Sequence, residues 1–330
     1  MIPFTRPTRA LIGGLAIALI LTACGDTSTD TTGTSDDAGQ DMDGALSGTI
    51  RLDGSSTVGP LSEVAAELFS DEHPGVAVDV AISGTSGGFQ KFCIGENDMN
   101  NASRSIKESE IELCGQNNIA YEGVQVANDA LSVVVNLDNP IDCLTPEQVS
   151  SIWDAEPTAT TWGQIEGVEV PEEMADQAIT LYGPGSDSGT FDFFTDAING
   201  EEGRIISTYT DIGEDDAAAV SGIETDPYAM GYIPYSYLQE ALDQVKPLQI
   251  DGGDGCIEAT LDNVLSGTYV PLGRPLFVYA SDVALAKPEV LAFMEFYVDN
   301  SAQIAEIAGF VPMTDDQIAA SKAQIASLLG

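Results

Sequence analysis

Basic residues and histidine are scarce in this chain of 330 residues. It carries 11 Lys and Arg against 53 Asp and Glu, a formal net charge of -42, and a single histidine. So few cations argue against a protein that grips nucleic acid through its phosphates. One histidine and the lack of any Cys-X-X-Cys motif disfavour a Ser-His-Asp triad and a metal centre. We therefore expect no enzyme, no metal and no cofactor.

Long hydrophobic runs are also missing, apart from one near the N-terminus. Two arginines precede an apolar run over 10–21, which is too short to span a bilayer comfortably and suits a signal-peptide core. Small residues then lead into Cys24, in a pattern that resembles a bacterial lipobox. We predict a lipoprotein signal peptide over 1–23, with Cys24 acylated; the alternative is an ordinary signal peptide with a chance cysteine.

The segment over 24–46 is rich in Asp, Thr, Ser and Gly and has almost nothing apolar. Such a composition cannot bury a core, so we predict a disordered acidic tether. These features together predict a protein exported to the outer face of the cell membrane or to the periplasm, held at the membrane by a lipid anchor.

Beyond the tether, predicted strands and helices alternate, which indicates an α/β fold. The strands are expected over 49–52, 76–82, 131–137, 178–182 and 276–279. The helices are expected from Val58 and from Pro146, after 83–88 and after 183–190, and over 288–298 and 314–329. Thr145 is the expected N-cap of the helix that Pro146 opens.

Three loops between a predicted strand and a predicted helix share one chemistry. Their sequences are Ser-Ser-Thr over 55–57, Ser-Gly-Thr-Ser-Gly-Gly over 83–88 and Ser-Gly-Thr over 188–190. A helix N-terminus offers unpaired N–H groups, glycine allows close approach, and hydroxyls add donors, which together suit an anion. Arg104 would add a cation if it faces the same cleft. The alternatives are ordinary helix caps and a surface arginine paired with a carboxylate.

These loops make the chain similar to a known family, the periplasmic phosphate-binding proteins of ABC transporters, called the PstS family. The resemblance extends over about 46–330 and is carried by the segments at 53–60, 83–88, 102–104, 182–191, 226–232 and 271–276. It implies a two-lobed type 2 periplasmic-binding fold, each lobe a mixed sheet flanked by helices. Lobe I is expected over 47–127 and 270–330, and lobe II over 128–269.

The resemblance also implies a function and a set of binding residues. The protein would be a monomer that captures inorganic phosphate between its lobes and delivers it to ABC permease subunits. The residues implied in binding, with Thr85 and Ser86 as alternative or joint candidates in the second loop, are Ser56, Thr57, Thr85, Ser86, Arg104, Ser188, Gly189 and Thr190.

Two positions depart from the family pattern. Well-known members have an Asp that accepts a proton from phosphate where this chain has Arg104, and an Arg where it has Pro184. Asp187 is a candidate replacement acceptor, although it also suits an Asx turn or a cap. These departures keep two alternatives open: a broader receptor for oxyanions such as sulfate, and a phosphate-sensing or adhesion lipoprotein without transport.

Four cysteines remain after Cys24, an even number that agrees with an oxidising compartment. They allow three pairings. We favour Cys93–Cys114 and Cys143–Cys256, since each pair then lies within one lobe; the alternative is four reduced, buried thiols.

Overall fold

A computed structural model describes residues 45–186, 188–213 and 215–329. The predicted signal peptide, the acylation site at Cys24, nearly all of the predicted tether and Asp187 lie outside these residues. Within the described residues, no helix is long and apolar enough to cross a membrane.

The alternation of strands and helices is confirmed over the described residues. The strands are β1 (Gly48–Gly54), β2 (Val76–Val80), β3 (Met99–Ala102), β4 (Tyr121–Asn136), β5 (Cys143–Leu144), β6 (Thr180–Gly183), β7 (Thr210–Asp211), β8 (Ala229–Pro234), β9 (Val245–Pro247), β10 (Gln249–Asp251), β11 (Cys256–Ile257) and β12 (Gly273–Ser281). The helices are α1 (Gly59–Glu72), α2 (Thr85–Phe92), α3 (Glu108–Gln116), α4 (Pro146–Trp153), α5 (Glu172–Ala175), α6 (Gly189–Asn199), α7 (Asp216–Thr225), α8 (Tyr235–Ala241), α9 (Leu261–Leu265), α10 (Asp282–Leu285), α11 (Pro288–Asp299), α12 (Ser301–Ala308) and α13 (Asp315–Leu329), with a 3-10 turn at Trp162–Gln164.

Two long strands join the sheets of the two lobes. The strand order is β2-β1-β3-β12-β4-β8-β6-β7, and β9 also pairs with β4. Strands β1, β2 and β3 run parallel to one another, as do β6, β7 and β8, whereas β12 and β4 are antiparallel to each other over nearly the whole length of β12. A smaller sheet has the order β11-β10-β5. The sequence analysis predicts a strand only over 131–137, so it misses the first ten residues of β4.

The two largest of three hydrophobic clusters among the described residues define the lobes. The core of lobe I is built around β1, β12, α1 and α11, with Ile50, Phe69 and Phe293 fully buried. The core of lobe II is built around β4, β8, α4 and α6, with Trp153 and Phe194 fully buried. Along the chain, buried residues change from the lobe I core to the lobe II core between 127 and 130, and change back between 272 and 276. Val311 is an exception, because it packs in the lobe II core. The exact domain boundaries stay a prediction.

Both favoured disulfides are present. Cys93–Cys114 links the end of α2 to α3, and Cys143–Cys256 links β5 to β11 in the smaller sheet. The first cystine is buried beside Phe89 and Tyr279, and the second closes a separation of 113 residues. Each disulfide therefore stays within one lobe, and neither of them links one lobe to the other.

Candidate functional site

The first two loops follow parallel strands of lobe I, and the third follows β6, a strand of lobe II. In lobe I, β1 and β2 are parallel, so the loops that lead into α1 and α2 leave from the same edge. Asp53 at the end of β1 holds these two loops together. Its Oδ1 accepts from the Gly54 backbone N–H at 2.7 Å and from Ser83 Oγ at 2.8 Å, and its Oδ2 accepts from Lys91 Nζ.

The pKa of Asp53 is lowered by the hydrogen bonds that join it to the two loops. Burial acts to raise the pKa of this carboxyl, but hydrogen bonds from Lys91, Ser83 and the Gly54 backbone outweigh burial and hold the pKa below its ordinary value. The ionised carboxylate of Asp53 therefore holds the first and second loops together through the hydrogen bonds that it accepts.

The first and third loops meet at one cavity between the lobes. The cavity has a volume of about 280 Å³, and loop residues that line it are Ser56, Thr57, Ser188, Gly189 and Thr190. The two loops are in backbone contact, because a Cβ placed on Gly189 would lie 2.8 Å from the Cα of Thr57. Only glycine allows this approach, so the lobes are closed on each other in this structure.

The hydroxyls of the first loop point across the cleft. Ser56 Oγ donates to Asp192 Oδ2 at 2.6 Å, and Thr57 Oγ1 donates to the carbonyl oxygen of Gly189 at 3.2 Å. The sequence led us to expect these hydroxyls to donate to an anion; here their protons are engaged by acceptors on α6. On the other side, Ser188 is the N-cap of α6, and its Oγ accepts from the Thr190 backbone N–H at 3.3 Å.

The second loop forms a neighbouring cluster with Arg104. Thr85 is buried, and its Oγ1 accepts from the Ser103 backbone N–H at 3.3 Å. Arg104 Nη2 donates to Ser86 Oγ at 2.8 Å, which ties the arginine to the second loop. Among the described residues, those that line the 280 Å³ cavity do not include this cluster. The structure thus brings the first and third loops to one cavity and places Thr85, Ser86 and Arg104 together in a separate cluster.

Arg104 already has a carboxylate partner. Its Nη1 and Nη2 donate to Glu110 Oε2 and Oε1 at 2.9 and 2.8 Å, a bidentate pair of the kind expected for an oxyanion. Burial acts to raise the pKa of Glu110, yet the hydrogen bonds from Arg104 and from the Lys107 backbone hold it below the ordinary value. An anion would have to compete with Glu110 for this guanidinium or bind at its remaining N–H.

A second arginine, Arg274, which the sequence patterns did not single out as a binding residue, is hydrogen-bonded to the first loop. Arg274 stands on β12 directly opposite Asp129 on β4, and its Nε lies 3.3 Å from Asp129 Oδ2. Its Nη2 donates to Thr57 Oγ1 at 3.1 Å, and its guanidinium carbon lies 3.5 Å from the centre of the Phe193 ring on α6. Arg274 therefore touches both connecting strands, the first loop and lobe II.

Burial dominates the electrostatics of this pair. It lowers the pKa of Arg274, although Asp129 opposes the change, and it raises the pKa of Asp129, although Arg274 opposes that change. Arginine stays protonated throughout the ordinary pH range. Desolvation also raises the pKa of nearby Glu202, and the charges of Asp192 and Asp196 raise it further. The site thus combines one buried cation, Arg274, with the nearby carboxylates of Asp129, Asp192, Asp196 and Glu202.

Arg274, Asp129 and Asp192 could not be found from local sequence patterns because each comes from a segment far from its partner. Arg274 and Thr57 are 217 residues apart in the chain, and Ser56 and Asp192 are 136 apart. One signal was present: Arg274 belongs to the segment at 271–276 that carries part of the family resemblance, and it is one of only 11 Lys and Arg.

Comparisons with known proteins agree with this architecture. A family model described as a PBP superfamily domain matches residues 31–301. Protein SphX from Synechococcus elongatus is 39% identical over 269 residues, which cover 80% of this chain and 77% of that protein. A phosphate-binding protein PstS from Staphylococcus saprophyticus is 31% identical over 325 residues, covering 97% of this chain and 95% of that protein.

Among solved structures, the crystal structure of a possible phosphate binding protein from Planctomyces limnophilus matches with a TM-score of 0.80 and 37% identity. It covers 87% of this chain and 100% of that one. Two lobes joined by paired strands, with helix N-termini facing the cleft, define a type 2 periplasmic binding protein. The chain belongs to the PstS family of periplasmic phosphate-binding proteins.

Proposed function

We propose that this protein captures inorganic phosphate in the cleft between its lobes and passes it to the permease of an ABC transporter. One observation carries the proposal: the hydroxyl-rich first and third loops meet at a single cavity, with the buried cation Arg274 hydrogen-bonded to Thr57. The N-terminus of α6 supplies backbone N–H groups on the far side. Relatives named phosphate-binding protein PstS support phosphate as the anion.

The binding residues that we propose are those implied by the sequence, with one addition. They are Ser56, Thr57, Thr85, Ser86, Arg104, Ser188, Gly189, Thr190 and Arg274, together with Asp187 as the candidate acceptor. Arg104 in this set is paired with Glu110 and Arg274 with Asp129, so neutral hydroxyl and backbone donors supply much of the attraction in a chain of net charge -42. Because the Debye length is about 8 Å at 0.15 M salt, the local donors and cations outweigh the distant acidic surface.

Calorimetric titration of the full chain, stripped of bound anion, tests the binding part of this proposal. Phosphate is titrated first and sulfate second, each at low salt and at 0.15 M salt. We expect a phosphate affinity that does not fall as salt rises, since salt screens the repulsion between the acidic surface and the ligand. Heat from neither anion would refute the proposal, and a steep loss of affinity with salt would refute the dominance of local charge.

The second candidate is a receptor for oxyanions in general. It is favoured by Arg104, which stands where well-known members have the proton-accepting Asp. In the same titration, equal affinities for phosphate and sulfate would support this candidate and replace the phosphate-specific one.

Anchoring and delivery form the last part of the proposal. The lipobox-like sequence at Cys24 supports acylation, which would hold the receptor beside a permease on the outer face of the membrane. The mass of the N-terminal fragment from the membrane fraction tests acylation. Phosphate uptake by vesicles that hold the permease and its ATPase, with and without this protein, tests delivery. Uptake that does not depend on the protein would favour the sensing or adhesion alternative.

A further inference from the structure

The guanidinium of Arg274 has one kind of partner at its edges and another over its plane. At the edges, Nε and Nη2 donate to Asp129 Oδ2 at 3.3 and 3.4 Å, and Nη2 also donates to Thr57 Oγ1 at 3.1 Å. Over the plane, the central carbon lies 3.5 Å from the centre of the Phe193 ring. A stacked guanidinium keeps its in-plane N–H groups free for hydrogen bonds. The ring therefore contacts Arg274 without taking any of its donors.

Phe193 belongs to lobe II, whereas the hydrogen-bond partners of Arg274 named above lie on lobe I and on a connecting strand. Phe193 is 2% exposed and packs in the core of lobe II. On α6 it follows Gly189 by four residues, so the two lie on the same face of the helix. The carbonyl oxygen of Gly189 accepts from Thr57 Oγ1 at 3.2 Å. One face of α6 thus meets the first loop at Gly189 and the arginine at Phe193.

We propose that Phe193 is a positioning residue for phosphate binding: its ring, carried by lobe II, holds the Arg274 guanidinium in the orientation in which Nη2 reaches Thr57. The ring moves with lobe II, so closure of the cleft brings it over the arginine and the arginine in turn fixes the first loop. This inference rests on the proposed function and deepens it.

Burial makes the contact between the ring and the guanidinium matter for affinity. The side chain of Arg274 is only 13% exposed, so water has little access to the face that the ring covers. A cation over an aromatic face is held more strongly when both are desolvated. Without the ring, the closed arrangement loses this attraction and becomes less populated. A ligand that binds the closed arrangement then binds more weakly by the same factor.

A rival interpretation is that Phe193 only fills the core of lobe II. The matched control for this interpretation is Phe191, which is also on α6, is 4% exposed, and lies two positions earlier and so on another side of the helix. A residue that only packs affects stability, and its loss affects phosphate affinity no more than the loss of Phe191 does. A positioning residue affects affinity beyond its effect on stability.

The test is calorimetric titration with phosphate, together with urea unfolding, of wild type, Phe193→Leu and Phe191→Leu in the full chain. We expect both variants to be less stable than wild type. We expect phosphate affinity to fall about tenfold in Phe193→Leu and to change less than about twofold in Phe191→Leu. Phe193→Met, which keeps most of the volume without a ring, should behave as Phe193→Leu does and replaces it if that variant does not fold.

A double-mutant cycle shows whether the ring acts through the arginine. Arg274→Lys keeps the positive charge but removes the planar group on which the ring stacks. In the Arg274→Lys background, Phe193→Leu should therefore lower phosphate affinity much less than tenfold. Losses that simply add would mean that Phe193 acts by another route.

The Nε–H resonance of Arg274 gives a spectroscopic signature of the contact. The chain has so few arginines that protein with isotope-labelled arginine gives a simple spectrum, and the resonance missing from Arg274→Lys identifies residue 274. A proton over an aromatic face is shifted upfield by the ring. This shift should be present in wild type and Phe191→Leu and absent from Phe193→Leu.

The outcomes separate the inference from the proposed function. If wild type binds phosphate and Phe193→Leu binds it as tightly, or if Phe191→Leu weakens binding equally, the inference is wrong and Phe193 only packs. Additive losses in the cycle, or a resonance that Phe193→Leu leaves in place, also overturn it. If wild type binds no phosphate, the proposed function fails and the positioning role fails with it, while the resonance still shows whether the ring contacts the arginine.

Discussion

Replacement of Arg274 by methionine should destabilise the protein strongly, because it leaves a buried carboxylate without its partner. The side chains of Arg274 and Asp129 are only 13% and 9% exposed. Methionine keeps much of the length and apolar volume of arginine but removes the charge. Breaking a buried ion pair from one side costs about 3–5 kcal/mol, so we expect the free energy of unfolding to fall by that amount.

The loss should grow with pH. Burial already raises the pKa of Asp129, and without Arg274 this pKa rises further. A carboxyl whose pKa is raised by folding binds more protons in the native state than in the unfolded state. The free energy of unfolding therefore falls as pH rises from the unfolded pKa, near 4, through the raised native pKa. The variant should lose less stability at pH 4.5 than at pH 7.5.

Urea unfolding of anion-free protein, followed by tryptophan fluorescence, measures these differences. Arg204→Met is the matched control, because Arg204 pairs with Asp154 at the surface and should matter much less. The double variant Arg274→Met with Asp129→Asn should recover most of the loss, since no unpaired charge remains. A loss below about 1 kcal/mol in Arg274→Met, or an equal loss at both pH values, would refute the role assigned to this ion pair.

Two further substitutions probe the loops. Gly189→Ala places a Cβ 2.8 Å from Thr57 Cα, so the cleft cannot close fully. Calorimetry should show a phosphate affinity reduced about tenfold or more, while the Tm of the protein is unchanged. An unchanged affinity would disprove the close approach of the two loops. Asp53→Asn should lower stability at pH 7 by about 1–3 kcal/mol. The lowered pKa of Asp53 means that its contribution is present above the unfolded pKa and disappears as pH falls through the native pKa. The Tm difference between wild type and Asp53→Asn should thus narrow as pH falls below the unfolded pKa of Asp; a difference that stays constant with pH would contradict the assignment.

Local signals in the sequence are sufficient for most helix starts in this fold. Thr145 caps α4 as predicted, with its Oγ1 accepting from the Gln148 backbone N–H at 3.2 Å. The Ser-Gly-Thr loop likewise precedes α6, with Ser188 as its N-cap. Such caps involve residues within one turn of each other, so a short stretch of sequence contains the whole interaction.

The geometry of the site depends on contacts that a local pattern does not contain. The strand predicted over 131–137 is the second half of β4, a strand of 16 residues that begins at Tyr121 and crosses from one lobe to the other. Asp129 acquires its role only when β12 is placed beside β4, which brings Arg274 opposite to it. The periodicity of apolar residues shows which face of a helix or strand is buried. It does not show which distant residue packs against that face.

The hydroxyls of the first loop differ from expectation for the same physical reason. Residue type correctly grouped Ser56 and Thr57 with Ser188 and Thr190, and the cavity brings them together. The direction in which each hydroxyl donates depends on its acceptor across the cleft, and for Ser56 that acceptor is 136 residues away. Residue type thus indicates which hydroxyls share the cavity, whereas the donor and acceptor of each hydrogen bond follow only from the fold.

A crystal structure of the full chain with bound phosphate tests the central claim most directly. We predict one phosphate between the lobes, with its oxygens about 2.9 Å from backbone N–H groups of the 188–190 loop and from donors of lobe I, and with Arg274 still beside Thr57. Phosphate bound elsewhere, or held by one lobe without the 188–190 loop, would contradict it.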